Sequence, residues 1–281
     1  MTKNNPYGYI DAAAISDMGC VRTNNEDNYL CAPEAGCFVV SDGMGGGDAG
    51  EVASETVIQC LKKAVENTAE DSPGCRKYAV QQSLHKANGS IIKYRDSHSF
   101  NAMGTTVVML LLNPWKAEEP FVCHVGDSRL YCLRDGELFC ITRDHSVANE
   151  MKSKGLRPDL VSEKAAKALT RVIGGSGMLV PEWQKVALCP NDLFLLCSDG
   201  ILAVLADEEI ERVMKEKKTP QAIVEELRTR VIAGGAPDNL TAVCMRVAET
   251  IPLPQEIDKV EQEESDLLLK VAEERKDYGA D

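Results

Sequence analysis

Three aspartates occupy the same kind of position. Asp42 follows the apolar run Phe38-Val39-Val40 and Ser41, and opens the turn Gly43-Met44-Gly45-Gly46-Gly47. Asp199 follows Leu193-Phe194-Leu195-Leu196-Cys197 and Ser198, and precedes Gly200. Asp238 immediately precedes the last apolar run, 240–247. Short apolar runs bounded by turn residues read as buried strands, and glycine permits positive φ and close backbone approach by a ligand. Adjacent strand ends can bring Asp42, Asp199 and Asp238 together with Glu26 or Asp27 from the polar stretch Val21-Arg22-Thr23-Asn24-Asn25-Glu26-Asp27-Asn28. That stretch reads either as a solvated loop or as a ligand-binding segment, and each aspartate alone can also be a turn or capping residue. Gathered in one cleft, carboxylates repel one another, and hard divalent cations with oxygen ligands resolve the conflict. The all-oxygen set suits Mg²⁺ or Mn²⁺ and disfavours zinc.

The elements that must position these residues follow from periodicity. An opening strand is expected over 7–15, with a turn at 16–19. Val57, Ile58, Leu61 and Val65 recur at helical spacing, as do Val80, Leu84, Ala87, Ile91 and Tyr94 in a second helix over 76–94. Strands are expected over 105–112, 120–125, 128–133 and 137–141, with Asp135-Gly136 as a hairpin turn. A short helix and an exposed charged segment are expected within 145–162. Strands follow over 182–187 and 193–197, then helices over 207–217, with Asp207 as N-cap, and 220–232, with Pro220 in its first turn. The last strand covers 240–247. Strands, two helices, strands, two helices and a strand describe an α+β sandwich with helix pairs outside antiparallel sheets, and not alternating βαβ units.

Composition narrows the partners. The 281 residues carry a formal charge of −13, so no basic surplus exists to release counterions from nucleic acid. The same charge repels a phosphate substrate unless bound cations reverse the field locally. Eleven cysteines, none in a C-x-x-C pair, read as small core residues in a reducing compartment, which places the chain in the cytoplasm. The longest apolar run is too short to span a bilayer, so no membrane partner is expected. Gly45-Gly46-Gly47-Asp48-Ala49-Gly50 matches a dinucleotide-binding fingerprint, but no βαβ context surrounds it. His124 lies within a strand and reads as structural. From Glu249 onward the chain is strongly charged and loosely helical in spacing.

Eight short motifs, in order, carry a resemblance. They are Arg22-Thr23-Asn24-Asn25-Glu26-Asp27, Val40-Ser41-Asp42-Gly43-Met44-Gly45-Gly46, Met103-Gly104-Thr105-Thr106 and His124-Val125-Gly126-Asp127-Ser128-Arg129-Leu130-Tyr131. Arg143-Asp144-His145-Ser146, Leu169-Thr170-Arg171, Ser198-Asp199-Gly200 and Pro237-Asp238-Asn239 complete the set. Over residues 7–247 the chain resembles the metal-dependent protein serine/threonine phosphatases of the protein phosphatase 2C (PPM) family, in compact bacterial form. The resemblance implies a four-layer αββα sandwich, two antiparallel sheets face to face with helix pairs outside, as a catalytic domain over 1–248. A flap at about 145–168 and an acidic tail over 249–281, expected to be helical, complete the organisation.

The same resemblance implies that Asp42 bridges two Mg²⁺ or Mn²⁺ ions, with Glu26 and the Gly43 carbonyl on one side and Asp199 and Asp238 on the other. Asp27 would hold metal-bound water from one layer further out, Arg22 would clamp the phosphoryl group, and Asp127 would serve a third, looser ion. Implied partners are phosphorylated proteins made by a serine/threonine kinase, acted on by a monomer. A catalytically silent phosphoprotein-binding adaptor of the same fold is the alternative reading. Two positions depart from parts of the family: Met44 stands where many eukaryotic members carry a histidine that protonates the leaving oxygen, and Ala203 where some carry an aspartate near the third metal.

Overall fold

The computed structural model describes residues 7–45, 49–68, 72–113, 120–175 and 177–250. The tail expected over 249–281 lies almost entirely outside the described residues. In chain order the elements are β1 (Ile10–Asp17), β2 (Asp27–Ala32), β3 (Cys37–Gly45), α1 (Ala49–Asn67) and α2 (Pro73–His98). Next come β4 (Met103–Thr105), β5 (Val107–Leu111), β6 (Phe121–Val125), β7 (Arg129–Arg134) and β8 (Glu137–Cys140). The rest are α3 (Val147–Ser153), α4 (Glu163–Lys167), β9 (Glu182–Lys185), β10 (Leu193–Cys197), α5 (Asp199–Leu202), α6 (Asp207–Glu216), α7 (Pro220–Ala233) and β11 (Leu240–Val247).

One sheet runs in the order β1-β11-β10-β7-β8 and the other β2-β3-β5-β6-β9, with the short β4 paired to β3. All pairings are antiparallel. Alternation along the strands distributes side chains between apolar layers. On β3, Phe38 and Val40 enter the core between the sheets, whereas Cys37 and Val39 point beneath α1 and α2. On β10, Phe194 and Leu196 face the other sheet, and Leu193, Leu195 and Cys197 lie under α6 and α7. Both faces of these strands are covered, which is why they read as continuous apolar runs and not as alternating ones. Three apolar layers between four layers of structure make the αββα sandwich.

The helices close these layers as their spacing predicts. Val57, Ile58, Leu61 and Val65 of α1 and Val80, Leu84, Ala87 and Ile91 of α2 are buried in one cluster. α2 begins where the Ser72 hydroxyl accepts from the Cys75 amide (3.4 Å) with Pro73 in the first turn, and so runs longer at both ends than the apolar stripe alone indicates. The hairpin at Asp135 and Gly136 joins β7 to β8 with φ of 50° and 81°, as a two-residue turn of this kind requires.

Three local expectations need correction. The first strand starts at Ile10, not Tyr7, because Tyr7 and Tyr9 are buried ahead of it. Asp207 is the first residue of α6 and not its N-cap: its Oδ1 accepts from the Tyr131 hydroxyl (2.8 Å), and the Ala206 amide donates to Glu209 Oε2 (3.2 Å) instead. Strand β2 is an addition, since its first residues, Asp27 and Asn28, belong to the polar stretch and gain their strand character only by pairing with β3.

Arg76 is 1% exposed and has no carboxylate partner among the described residues. Its guanidinium donates to the Ala35 carbonyl (2.6 Å), the Leu112 carbonyl (3.2 Å) and the Tyr7 hydroxyl. It thereby ties α2 to the start of the described chain and to the turns before β3 and after β5. Removing the guanidinium leaves buried carbonyls without donors, so Arg76→Met should lower the unfolding free energy by about 2–3 kcal/mol in denaturant titrations.

Candidate active site

The two sheets deliver their acids to one end of the sandwich. Asp42 lies within β3 opposite Asp27, its register partner on β2, and the strand continues through Gly45 by pairing with β4 where the sequence suggests a turn. Its backbone is held by two threonines: the Asp42 amide donates to Thr106 Oγ1 (3.0 Å), while the Thr106 amide and Thr105 hydroxyl both donate to the Asp42 carbonyl (2.8 Å each). The Gly43 amide donates to the Glu26 carbonyl (3.1 Å), and a Cβ at Gly43 would meet that oxygen at 2.4 Å and the Gly50 carbonyl at 2.2 Å. A Cβ at Gly50, in the first turn of α1, would meet Glu26 Oε1 at 2.5 Å. Glycine is therefore required where β3, the loop before β2 and the start of α1 converge.

From the other sheet, Asp199 begins α5 directly after β10, and Asp238 lies just before β11. A Cβ at Gly200 would stand 1.8 Å from the Asn239 carbonyl, so these two segments touch through backbone alone. Asn239 bonds the assembly together: its Oδ1 accepts from the Glu26 amide (2.9 Å), and its Nδ2 donates to the carbonyls of Met18 (2.9 Å) and Asn24 (2.8 Å). The Ser198 hydroxyl donates to Asp27 Oδ2 (2.7 Å), a bridge from one sheet to the other. Asp27 is 8% exposed and touches the site from behind. Asn239, Ser198 and Thr106 stand inside recognisable motifs, but nothing in their residue type marks these structural roles. Their one signal is a polar side chain at the border of an apolar run.

Electrostatics define the cluster. Burial, and then the neighbouring Asp27, Asp199 and Asp127, hold the Asp42 carboxyl well above the usual range. Burial also raises Asp199, reinforced by Asp238 and opposed by Arg22 and Lys167. Asp42 and Asp199 lie close enough to influence each other directly, and both are shifted in the direction that favours the neutral carboxyl. Asp27 is pushed up to about 7, first by burial and then by Asp199 and Asp238, against the pull of Ser198 and Thr241. Asp127 is likewise pushed up to about 7 by burial, Asp199 and Asp144. Arg22 supplies a nearby cation, with Nη2 donating to Asp238 Oδ2 (2.7 Å) and Glu26 and Asp199 close by.

All eight residues singled out in the sequence, Arg22, Glu26, Asp27, Asp42, Gly43, Asp127, Asp199 and Asp238, therefore lie in one contiguous site. Beside it a cavity of about 510 Å³ is lined by Asp127, Asp199 and Ala203 and, from the segment expected to form a flap, by Asn149, Lys152 and Lys167. The donor set fits hard divalent cations. It consists of oxygens only, and burial together with neighbouring negative charge disfavours ionised Asp42 and Asp199, a conflict that bound positive charge removes.

Known proteins resemble this chain over most of its length. Residues 21–233 match the family model described as Protein phosphatase 2C. The serine/threonine phosphatase stp of Listeria monocytogenes is 31% identical over 81% of this chain and 92% of its own length. Among solved structures, one described as PppA, a key regulatory component of T6SS in Pseudomonas aeruginosa, superposes with a TM-score of 0.77 at 34% identity, covering 86% of this chain and 99% of that one. The catalytic domain of the serine/threonine protein phosphatase PstP, solved in complex with two manganese ions, gives 0.70 at 31% identity over 85% and 98% of the two chains. The chain belongs to the protein phosphatase 2C family.

Proposed function

We propose that this chain, a metal-dependent serine/threonine phosphatase, hydrolyses phosphoserine and phosphothreonine side chains of proteins by direct attack of water, with no phosphoenzyme. The observation that carries the reading is the convergence of Asp42, Asp199 and Asp238 from two sheets into one acidic cluster beside Arg22. Asp42, at the centre of the mutual repulsion, would be shared by two Mg²⁺ or Mn²⁺ ions. Glu26 and the Gly43 carbonyl would help hold one, and Asp199 and Asp238 the other. Such a pair, when bound, lowers the pKa of water so that hydroxide is available near neutral pH.

The chain's own residues do the rest. Arg22 uses one nitrogen on Asp238 and leaves a side chain 47% exposed, so its planar fork can present further N–H groups to phosphoryl oxygens. Asp27, fixed by Ser198, is placed to orient water from behind Asp42. Asp127, with Ala203 across the same cavity, is the candidate for a third and looser ion. Met44 offers no proton, so the leaving oxygen takes its proton from water. Residues 145–168 act as a flap over the cavity. All eleven cysteines are free, in keeping with a reducing, cytoplasmic setting, and no helix among the described residues is long and apolar enough to cross a membrane. The substrates are products of serine/threonine kinases, and the enzyme acts as a monomer.

Phosphate release from a phosphothreonine peptide should require Mn²⁺ or Mg²⁺ and stop with chelator. Tight peptide binding without turnover would instead identify a silent adaptor. Asp42→Asn and Asp199→Asn should each reduce kcat by at least about a thousandfold while the circular dichroism spectrum is retained, the order expected when electrostatic stabilisation at the reacting centre is lost. Arg22→Lys should raise KM for the peptide more than it lowers kcat, because a point charge cannot reproduce the fork.

The pH dependence of stability has a definite sign. The buried carboxyls hold protons in the folded state that they release when unfolded, so without divalent cations stability falls as pH rises from about 4 to about 7. The thermal midpoint of chelator-treated protein should therefore decline across that window. Added Mn²⁺ should raise it most at the neutral end, where the carboxylates are ionised and free to bind.

A further inference from the structure

We propose that His145 is a positioning residue that holds the turn carrying Asp127 and joins it to both ends of the flap. Gly126, with φ of 107°, forms the turn between β6 and Asp127, and Thr106 packs so closely against it that a Cβ there would lie 2.6 Å from Thr106 Cγ2. His145 grips this glycine twice. Its backbone amide donates to the Gly126 carbonyl (2.9 Å), and its ring Nδ1 accepts from the Gly126 amide (3.1 Å). No other acceptor offers itself to that buried amide among the described hydrogen bonds. The direction of Asp127 into the acidic cluster therefore depends on an imidazole eighteen residues further along the chain.

The imidazole is held in the orientation this grip requires. Because Nδ1 accepts, the neutral ring carries its proton on Nε2, which lies 3.2 Å from Glu182 Oε2 on β9. Burial, helped by His124 and Arg171, keeps the imidazole below its ordinary pKa, in keeping with this neutral form. His145 also stacks on His124, ring centroids 4.4 Å apart and planes 14° from parallel, and His124 is anchored by its Nε2 at the Arg143 carbonyl (3.0 Å). Glu182 is the register partner of His124 across β6 and β9, so the whole set is built on the edge of one sheet. Ligand atoms of His124, His145 and Glu182 fall within 4.8 Å of one another, a spacing that could suggest a cation. Arg171 Nη1, however, lies 3.2 Å from His145 Nε2, so a positive charge already occupies that side of the group. The set is a hydrogen-bonded brace.

The same residue closes the neck of the flap. The Thr170 amide donates to the His145 carbonyl (2.8 Å), Ser146 and Leu169 form an isolated bridge, and the Val147 amide donates to the Ala168 carbonyl (2.9 Å). Within that neck, Asn149, Lys152 and Lys167 line the cavity whose opposite wall includes Asp127. A protein substrate pressing on the flap thus acts on the joint from which Asp127 hangs. A small phosphate ester makes no such contact.

The inference rests on the phosphatase reading for its kinetic arm only. Amide exchange of Gly126 and calorimetric titration with Mn²⁺ stand apart from turnover, and wild-type turnover tests that reading separately. In His145→Ala the Gly126 amide should exchange roughly tenfold faster or more, the scale of one lost hydrogen bond to a buried donor. The weakest Mn²⁺-binding event should weaken, and KM for the phosphothreonine peptide should rise while that for p-nitrophenyl phosphate changes less. His145→Asn, whose Oδ1 can take the place of Nδ1, should restore Gly126 protection and the peptide KM. If His145→Ala does not fold, Glu182→Ala, at a position half exposed on an edge strand, should still speed Gly126 exchange. Unchanged Gly126 exchange in whichever of these two variants folds, or equal loss in folded His145→Asn and His145→Ala, overturns the proposal.

Discussion

Like charges brought together in a dry place are the constraint on which this structure depends. Burial is the largest influence on the carboxyls of the site, and to it are added the charges of Asp27, Asp199 and Asp127 at Asp42, of Asp199 at Asp127 and Asp27, and of Asp238 at Asp199, where Arg22 and Lys167 oppose the effect. A fold tolerates such crowding only if the backbone around it cannot relax. Here it cannot: Gly43 and Gly200 let three chain segments touch where no side chain fits, and Thr105, Thr106 and Asn239 spend their polar groups on fixing backbone. The apolar layers on either side supply the rigidity from which those contacts hang. Each fully buried Phe or Leu contributes about 1.5–3 kcal/mol, which lets the fold bear a cluster that is unfavourable in isolation.

How far the sequence reveals this depends on whether a residue's role is written in its own neighbourhood. Strands β3 and β10 are legible because both of their faces are buried, and the aspartates that follow their apolar runs are legible with them. The helices are legible from their stripes, and the start of α7 from Pro220, whereas the Ser72 cap that lengthens α2 emerges only in the structure. β2 is hard to read because Asp27 and Asn28 are strand residues only by virtue of the partner opposite them. Asp207 misleads because a residue well suited to capping is taken by a tyrosine from another sheet strand. Arg76 is the extreme case: a cation at the head of an amphipathic helix looks solvated, and only the assembled chain shows three oxygens waiting for it.

For the site itself, the acids and Arg22 can be picked out in the sequence, whereas the residues that aim them cannot. Asn239, Ser198 and His145 act through hydrogen bonds to groups 19 to 213 positions away. A polar residue with a distant backbone partner leaves no local pattern, since neither periodicity nor turn chemistry distinguishes it from a surface residue of the same type. Recurrence of whole motifs in order carries that information indirectly, without saying what each member touches.

β11 is the last described strand, yet it lies inside its sheet, hydrogen-bonded to β1 on one side and β10 on the other. During synthesis the first strand must therefore wait, its inner edge bare, until more than 200 further residues have left the ribosome. Asp238 and Asn239 arrive with that same strand. A nascent chain that has not yet supplied β11 thus holds the acids of its earlier segments without the element that brings Asp238 and Asn239 to them.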